Sequence, residues 1–571
     1  MNSSLLLIAG IFSYIIAYFF YSKWLSKNLF HFKENFKTPS QEFNDGIDYF
    51  PTPKRILIGH HFTSIAGAAP IIGPCIAAYW GWLPAFLWIV LGTIFIGAVH
   101  DFGALVISLR EKGKTIADIS SFVISKNARI IFLIFIMMLG WLVLSVFAMA
   151  ISDLFVSVPT TVVPINIQII LAVIVGFLIY KKNVNTFLIS IISLIIVYFF
   201  VWVGTFIPIS FESIGFTKSE SISIWILILF LYSAIASLLP VWVLLQPRDY
   251  INSNQLILGI IFIFIGVFLS QPSIEAPILR IESDKGAPSL FPFFFITVAC
   301  GAISGFHGLI ASGTTSKQVK YFKDARDIGF GSMLGEGSLA LASLIAAVAG
   351  ITLVSEANLP SHGLVENLSW HIYYDSWAHA SMNKATAFVL GGGALIQQLG
   401  FSAKVSNTII AVLVIAFAAT TLDTVTRIQR FVLSEIGFAT NLNLLKNRFF
   451  ATLLAIIPAL ILSLLNFYNP ATGSSMKIGW ILWPIFGMSN QMLAGLTLMV
   501  LSIYFHKKNK SILPVFIPMI FIFFITFMSL VLKSIDFYSS NIILFFINVI
   551  LICLVLWMIY EGFKSLKKNL N

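Results

Sequence analysis

The chain has 571 residues, of which 58% are hydrophobic and only 10% are charged, and its mean hydropathy is +0.93. Charged residues make up about 25% of ordinary soluble domains, so the composition excludes that class and predicts an all-α polytopic membrane protein. The net charge of +11 would suit a nucleic-acid partner in a soluble protein, but here the Lys and Arg residues lie in short connections between apolar runs. We therefore expect membrane lipid around the chain and no nucleic-acid partner.

Apolar runs of membrane-spanning length recur along the whole chain, and a span needs about 20 such residues. The sequence predicts about fifteen transmembrane helices, at residues 3–22, 57–79, 83–109, 130–157, 165–180, 186–207, 223–245, 256–271, 292–312, 328–354, 405–425, 449–467, 478–503, 512–533 and 541–562. We predict that the run 385–399 does not cross the membrane fully, because a crossing there would reverse the direction of every later span. Its three consecutive glycines also disfavour a helix. Together with the polar segment 355–384 it is expected to cap the outer face as a partial helix.

Basic residues fall on alternate connections of this span list. Lys54 and Arg55, Lys181 and Lys182, and Lys507 all lie on one side, which the positive-inside rule makes cytoplasmic. The sequence therefore predicts an outside N-terminus and a cytoplasmic C-terminus.

The stretch GHHFTSIAGAAPIIGP, residues 59–74, is too apolar for a surface loop and too rich in Gly and Pro for an unbroken helix. It predicts a transmembrane helix interrupted at 66–70, and residues 233–240 predict a second interruption. Unwound backbone survives at membrane depth only where it faces protein or a water-filled cavity, and paired interruptions point to a transporter's binding site. The alternative is that proline simply kinks both helices.

The spans between 57 and 425 divide into two sets of five that enter the membrane from opposite sides. This indicates an inverted repeat. The predicted division is a peripheral N-terminal helix and cytoplasmic loop (1–56), a first repeat (57–207), a second repeat (223–425) and a C-terminal four-helix extension (426–571).

Five motifs carry a resemblance to a known family: GHHFTSIAGAAPIIGP, GWLPAFLWIVLGTIFIGAVHDFGALVISLREKGKTIADI, QPRDYINSNQ, GAISGFHGLIASGTTSKQ and TTLDTVTRIQR. In this order, from about residue 53 to 435, the chain resembles the carbon starvation protein A family of bacterial inner-membrane transporters. The resemblance implies the amino acid–polyamine–organocation superfamily fold, with a five-plus-five inverted repeat like that of the leucine transporter. It also implies uptake of peptides or pyruvate under carbon limitation, by proton symport.

The two interruptions supply candidate substrate-binding groups. Freed amides at a half-helix N-terminus bind a carboxylate, and freed carbonyls and hydroxyls bind a cation. The candidates are Thr63, Ser64, Gly67 and Ala68 at the first interruption, and Tyr232, Ser233 and Ser237 at the second. Close packing of small residues between helices is the alternative.

Ionisable residues inside spans are costly, so each is a candidate for proton coupling or gating. The candidates are His60, His61, His100, Asp101, His307, Glu336, Asp423 and Arg427, and Asp153 also lies within a span. His100 and Asp101 are neighbours that face about 100° apart on a helix, which predicts different partners. Histidine side chains ordinarily titrate near neutral pH, which would suit His307 as a proton carrier, with a structural histidine as the alternative. Glu336, between two glycines, is either a proton relay or half of a structural pair.

A sodium-coupled amino acid or carboxylate symporter is the alternative function. Ser312, Thr314 and Thr315, with carbonyls near Ala66, form the possible cation site, although the same segment could be an ordinary helix C-terminus. Asp423 and Arg427 stand four residues apart, which predicts an intrahelical ion pair at the inner gate. The pair Arg248 and Asp249 either clamps that gate or is a solvated turn.

An intramembrane metalloenzyme using His60, His61, His100 and Asp101 is less favoured, because zinc requires three or four convergent ligands and these residues lack the spacing. The three cysteines, Cys75, Cys300 and Cys553, are predicted to be packing residues. We expect a carrier rather than an enzyme, channel or sensor, with no metal and no cofactor.

Overall fold

The computed structural model of the chain describes residues 2–31, 36–46, 48–182, 184–281, 284, 287–359, 362–382, 385–469 and 474–568. Lys384, the end of the predicted polar cap segment, lies outside these residues.

Helices account for nearly all the regular structure of the first half. They are α1 (Ser3–Ile16), α2 (Ser22–Asn28), α3 (Pro39–Glu42), α4 (Lys54–Ile65), α5 (Ala69–Ala77), α6 (Trp82–Leu87), α7 (Ala98–Arg110), α8 (Ile116–Val123), α9 (Lys126–Ser157), α10 (Val162–Lys182), α11 (Thr186–Gly204), α12 (Lys218–Leu238) and α13 (Leu245–Ser270). Polar residues cap several of them. Thr217 and Glu220, for example, form a reciprocal capping box at the start of α12.

The second half begins with a segmented helix and ends with long ones. Its helices are α14 (Leu290–Thr297), α15 (Ala299–Ala302), α16 (Gly305–Gly313), α17 (Ser332–Val348), α18 (Trp370–Tyr373), α19 (Trp377–Met382), α20 (Thr386–Gln397), α21 (Ala403–Thr440), α22 (Asn443–Lys446), α23 (Arg448–Leu464), α24 (Ile478–Ile481), α25 (Trp483–His506), α26 (Leu513–Ser540) and α27 (Ile542–Lys568). The strands of the described residues form two antiparallel hairpins, β1 (Glu356–Leu359) with β2 (Gly363–Glu366) and β3 (Asn466–Asn469) with β4 (Ser474–Lys477). Three π-helical stretches, Ala17–Tyr21, Trp88–Gly97 and Arg326–Gly331, join successive helices.

Burial separates a central set of helices from a peripheral set. In α21 and α25 every residue of the most apolar 18-residue stretch is buried, whereas in α11 and α27 only 33% of that stretch is buried. The exposed residues of the peripheral helices are large and apolar, such as Phe187 and Phe546, as expected for surfaces that face lipid. The C-terminal region therefore contributes to the core of the protein, because α25 lies in that core.

Twelve helices of the described residues have the length and composition to cross a membrane, or thirteen if the bent pair α4 and α5 is one span. This confirms a multi-pass membrane protein. The two other predicted spans coincide with α14–α16, which is divided, and with α23, which has 17 residues. The count of fifteen stays a prediction.

The apolar run 385–399 forms the short helix α20. Its 12 residues extend about 18 Å, well under the hydrocarbon thickness of about 30 Å. The glycines serve close packing, since a Cβ at Gly391 would lie 2.1 Å from the Ala346 carbonyl oxygen. The preceding polar segment forms the β1–β2 hairpin, α18 and α19, here called the cap (356–382 without 360–361). The expected partial helix is confirmed.

The first predicted interruption is confirmed and the second is wrong. Helices α4 and α5 are bent by 48° across a short break at Ala66–Ala68. In contrast, α12 is a regular helix through Ser233 and Ser237 and ends only at Leu238. The second interrupted segment instead lies at 298–304, between α14, α15 and α16, where Ile303 and Ser304 are extended.

These observations bear on the predicted repeats. Helix α21 continues to Thr440, so the division between 425 and 426 falls inside a helix. The inverted repeat itself stays a prediction.

Candidate functional site

The two interrupted segments pack against each other. Gly73 of α5 lies on the backbone at Thr297, since a Cβ at Gly73 would be 2.5 Å from the Thr297 carbonyl oxygen. On the other side of the break, His61 Nδ1 of α4 lies 2.9 Å from Thr315 Oγ1, just after α16. The polar backbone of each interruption is thus enclosed by protein, as membrane burial requires.

This contact gives a stability prediction. Gly73→Ala is expected to destabilise the protein by about 1–3 kcal/mol, because overpacking a filled site costs about that much and a backbone oxygen cannot rotate away. Thermal unfolding of the purified protein in detergent measures the effect. Gly331→Ala is the matched control, since a Cβ there would meet nothing nearer than Tyr18 Cε2 at 3.8 Å. Equal unfolding midpoints for the two variants would contradict the packing role.

Behind the contact lies a buried histidine–carboxylate cluster, formed by His100, Asp101, His307 and Glu336. His307 Nδ1 is 3.0 Å from Asp101 Oδ2, and His307 Nε2 is 3.2 Å from Glu336 Oε2. His100 Nδ1 lies 2.7 Å from Asp101 Oδ1. All four side chains are at most 1% exposed. One imidazole therefore stands between two carboxylates from different helices.

The cluster corrects one prediction and confirms another. His100 and Asp101 were expected to have different partners, but the Asp101 carboxylate is close enough to bridge His100 and His307. The glycines beside Glu336 do allow close approach, because a Cβ at Gly335 would lie 3.0 Å from the Phe62 ring and one at Gly337 would lie 2.6 Å from Tyr14 Oη.

Local helix geometry and the first break help to place the cluster. The π-helical stretch Trp88–Gly97 precedes α7, which carries Asp101, and Arg326–Gly331 precedes α17, which carries Glu336. Such stretches are rare and often occur at functional sites. Gly335, next to Glu336, packs against the Phe62 ring of α4. The cluster therefore lies beside the first interrupted helix.

A second group, the arginine–carboxylate network, consists of Tyr232, Arg248, Asp249, Asp423 and His60. Arg248 donates to both oxygens of Asp423, with Nη2 to Oδ1 at 2.9 Å, and to Tyr232 Oη at 2.7 Å. Arg248 Nη2 is also 3.3 Å from Asp249 Oδ1, and Asp249 Oδ2 is 2.8 Å from His60 Nδ1. The network therefore links α4, α13, α12 and α21.

Two gate predictions are corrected by this network. Arg248 and Asp249 are not a solvated turn, because they belong to α13 and are 2% and 0% exposed. Asp423 does not pair with Arg427. The Arg427 guanidinium instead donates to the carbonyls of Ala236 and Leu239, which are freed where α12 ends.

The predicted substrate groups are only partly brought together. Thr63 Oγ1 donates to the backbone carbonyls of Gly59 and Asp249, and Ser64 Oγ lies 3.5 Å from Asp249 Oδ2. Ala68 is the N-cap residue of α5.

The groups predicted on α12 lie elsewhere. Ser233 and Ser237 donate to carbonyls of their own helix, those of Phe230 and Ala234. Tyr232 donates to Asp423 at 3.1 Å. Helix α12 packs on α9, α21 and α23 and does not supply hydroxyls to the first break.

Two of the three possible cation-site hydroxyls, those of Ser312 and Thr315, have protein partners. Ser312 Oγ donates to the Gly308 carbonyl at 2.7 Å and accepts from the Ile116 amide at 3.1 Å. Thr315 is paired with His61, and Thr314 lines a cavity described below.

Sequence reasoning missed the support of the second interruption. Asn490 of α25 accepts from the Phe306 amide at 3.0 Å and is hydrogen-bonded to Ser304, so it caps the start of α16. Gly305 packs on the backbone of the same helix, where a Cβ would lie 2.4 Å from the Ala494 amide nitrogen. No local signal could assign Asn490 this role, because its partners are distant in sequence.

The proposed metalloenzyme ligands do not converge. His60 and His61 contact Asp249 and Thr315, while His100 and Asp101 belong to the histidine–carboxylate cluster. Within the described residues, metal-ligand spacing is found in the cap, at His362, Asp375 and His379. The packing prediction is confirmed for Cys75, which is buried, and for Cys300, which is partly buried against the core, but it is wrong for Cys553, which is exposed.

Helices α9 and α21 form an antiparallel pair that runs through the protein. Gln429 Nε2, late in α21, donates to the Met137 carbonyl, early in α9, at 2.6 Å. At the other end the hydroxyls of Thr160 and Thr408 are 2.7 Å apart.

A cavity lies at each end of this pair. One, of about 320 Å³, is lined in part by Leu133, Thr314 and Arg427. The other, of about 590 Å³, is lined in part by Asp153 and Lys404. The two cavities are separated by the middle of both helices.

The first interruption occupies that middle position. A Cβ at Gly67 would lie 2.6 Å from Thr421 Oγ1 and 2.9 Å from the Phe147 ring. Phe147 lies about two-thirds of the way along α9 and Thr421 midway along α21, so the unwound backbone packs against both helices between the two cavities.

The architecture matches that of a known transporter. The crystal structure of a mutant of the Eremococcus coleocola manganese transporter aligns with a TM-score of 0.50, covering 91% of this chain and 99% of that one at 13% identity. The chain is thus a multi-pass helical membrane protein with a transporter fold.

Sequence comparison identifies the family. The model of the carbon starvation protein CstA family matches residues 2–529, and the chain belongs to that family. The peptide transporter CstA of Mycobacterium tuberculosis is 31% identical over 89% of this chain and 72% of its own length. The peptide transporter CstA of Escherichia coli is 30% identical over 90% and 78%. The pyruvate/proton symporter BtsT of Escherichia coli is 33% identical over 60% and 48%. These names confirm the resemblance and the expectation of a transporter rather than an enzyme.

Proposed function

We propose that the protein imports a small carboxylate nutrient, a peptide or pyruvate, across the bacterial inner membrane during carbon starvation by proton symport with alternating access. The names of the relatives support both substrate classes, and that of BtsT supports proton coupling.

The observation that carries the proposal is the position of the first interruption between two cavities. A carrier needs a substrate site that opens to either side in turn, with a partition at mid-membrane. Gly67, packed against Phe147 and Thr421, is such a partition. Small movements of α4 and α5 against α9 and α21 would join the site to one cavity or the other. The freed amides at Gly67, Ala68 and the start of α5 would bind the substrate carboxylate.

Proton coupling is assigned to the histidine–carboxylate cluster. His307 lies between Asp101 and Glu336, and Glu336 lies beside the first interrupted helix, so a proton on His307 changes the charge beside the substrate site. Neither Glu336 oxygen has a hydrogen bond of good geometry among the described residues. A buried carboxylate without well-formed hydrogen bonds raises the free energy of the protein while it is charged. This suits a group that exchanges a proton with its neighbour.

The arginine–carboxylate network is proposed as the gate that joins α4 to α13 and α21. In the proposed orientation the cavity beside Arg427 and Lys317 is cytoplasmic, and the cap and the larger cavity face outside. The N-terminus is then outside and the C-terminus inside.

Uptake into proteoliposomes tests the function. We expect an imposed inward proton gradient to drive accumulation of labelled pyruvate or of a labelled dipeptide, and an equal sodium gradient at constant pH to drive none. Protein-free liposomes are the control. Accumulation driven only by sodium would replace the proton with sodium, and uptake of neither compound under either gradient would overturn the proposal.

A further inference from the structure

The cap contains a cluster that the transport proposal does not use. His362 lies at the turn between β1 and β2. Asp375 lies between α18 and α19, and His379 lies within α19. His362 Nε2 is 3.0 Å from Asp375 Oδ2, and His379 Nδ1 is 3.7 Å from Asp375 Oδ1. Two distant parts of the cap thus meet at three side chains that are all able to ligate a metal.

The donor set and spacing suit a borderline transition metal. Two imidazoles and one carboxylate are the donors that Zn²⁺ accepts, with water completing four-coordination. Zinc bonds of about 2.0–2.1 Å place tetrahedral ligand atoms about 3.3 Å apart. The ligand atoms here all lie within 4.8 Å of one another, and both contacts to Asp375 are already near that separation. The two contacts use different oxygens of Asp375, and the longest separation would have to shorten by up to about 1.5 Å on metal binding.

The exposures of the three side chains also fit an ion-binding site. His379 is 2% exposed, whereas His362 and Asp375 are 30% and 41% exposed. The buried imidazole of His379 forms the inner side of the site, and the two exposed ligands leave a path for an ion from solvent.

The cluster is coupled to the first interrupted helix through its neighbours in sequence. Tyr374 donates to the Cys75 carbonyl of α5 at 2.7 Å. The Trp377 ring lies 5.0 Å from that of Trp80 and 5.3 Å from that of Tyr79, just beyond α5. Asp375 lies between these two anchors. Whatever holds Asp375 therefore holds the cap on the end of α5.

We propose that His362, Asp375 and His379 bind a divalent transition-metal ion of the zinc type, which fastens the β1–β2 hairpin to α19 and keeps the cap seated on the end of α5. The rival interpretation is a hydrogen-bonded triad that fixes the hairpin without metal.

Metal titration of the full-length protein in detergent tests the site. After treatment with chelator and buffer exchange, Zn²⁺ binding is measured by calorimetry, and Co²⁺ is added as a spectroscopic probe. We expect one saturable site per chain, visible Co²⁺ absorption of tetrahedral intensity, and a rise in the thermal unfolding midpoint with Zn²⁺.

The variants His362→Ala and Asp375→Asn should each weaken Zn²⁺ binding by at least about 100-fold and abolish the Co²⁺ bands, since each removes a direct ligand, and even outer-shell losses weaken binding about 10–100-fold. His371→Ala is the matched control, because His371 is an exposed histidine of the same cap outside the cluster. It should bind as the unaltered protein does.

Unfolding of each variant without metal shows whether it is folded. Absence of saturable binding in the unaltered protein, or equal binding in His362→Ala and His371→Ala, would overturn the proposal and favour the metal-free triad. Neither outcome depends on transport activity, so the result is independent of the proposed function.

Discussion

Replacing His307 by alanine is expected to abolish substrate accumulation driven by a proton gradient while sparing counterflow exchange. Counterflow needs only a substrate site and alternating access, whereas accumulation needs a proton that enters with the substrate. The His307 imidazole lies between Asp101 and Glu336. Its loss removes the group that passes a proton between these two carboxylates. Reconstituted protein, assayed once with a pH gradient and once with internal unlabelled substrate, measures both activities.

Stability must be measured alongside, because removing one partner of a buried charge pair costs about 3–5 kcal/mol if the remaining charge stays uncompensated. Glu336→Gln is the milder variant, since it keeps the shape and removes the carboxylate. It should also lose accumulation. Ser338→Ala is the matched control and should leave both activities intact, because the Ser338 hydroxyl donates to the Leu334 carbonyl of the same helix. Unchanged accumulation in His307→Ala would remove His307 from the coupling role.

The sequence predicts the membrane spans well because a single large contribution to the free energy decides them. Burying about 20 apolar residues in hydrocarbon outweighs local propensity, so nearly every predicted span coincides with a helix. The first interruption is equally local. Gly67 and Pro70 weaken the helix themselves, and the packing of Gly67 against Phe147 and Thr421 leaves no space for a side chain.

The second interruption shows what local reasoning misses. The proline that suggested a break at 233–240 lies beyond the end of a regular helix, where Pro240 follows Leu239 and only terminates α12. The actual break at 298–304 contains no proline. It depends on Asn490, which caps α16 from a helix almost two hundred residues away in sequence. Tertiary hydrogen bonds, not composition, open this helix.

The site follows the same division. Cost of burial alone identified Asp101, His307 and Glu336 as candidates, and the structure brings them together. The cost of burial could not identify which residues these side chains contact. The polar motif around Arg248 resembles a loop, and only the surrounding acids show why it is buried. Asp423 and Arg427 have helical spacing for a pair, but the Arg248 guanidinium and the free carbonyls of α12 compete successfully for them.

Arg248→Met is expected to destabilise the protein by about 3–5 kcal/mol, because it leaves the buried Asp423 without its cation. Asp249 would keep His60 as a partner, whereas Asp423 would retain, among the described residues, the Tyr232 hydroxyl but no cation. Thermal and denaturant unfolding in detergent measure the loss. Lys323→Met serves as control, since Lys323 is a cation outside the network and should change stability by less than about 0.5 kcal/mol.

The double variant Arg248→Met with Asp423→Leu separates a structural role from a gating role. Removing both charges eliminates the uncompensated carboxylate, so we expect it to regain at least half of the stability lost by Arg248→Met. A double variant no more stable than the single one would show that the pair does not set the cost. If the network were only structural, the stabilised double variant would transport normally. We expect it to fold yet fail in both accumulation and counterflow, because α13 and α21 would no longer be joined by a contact that can break and reform as the carrier changes state.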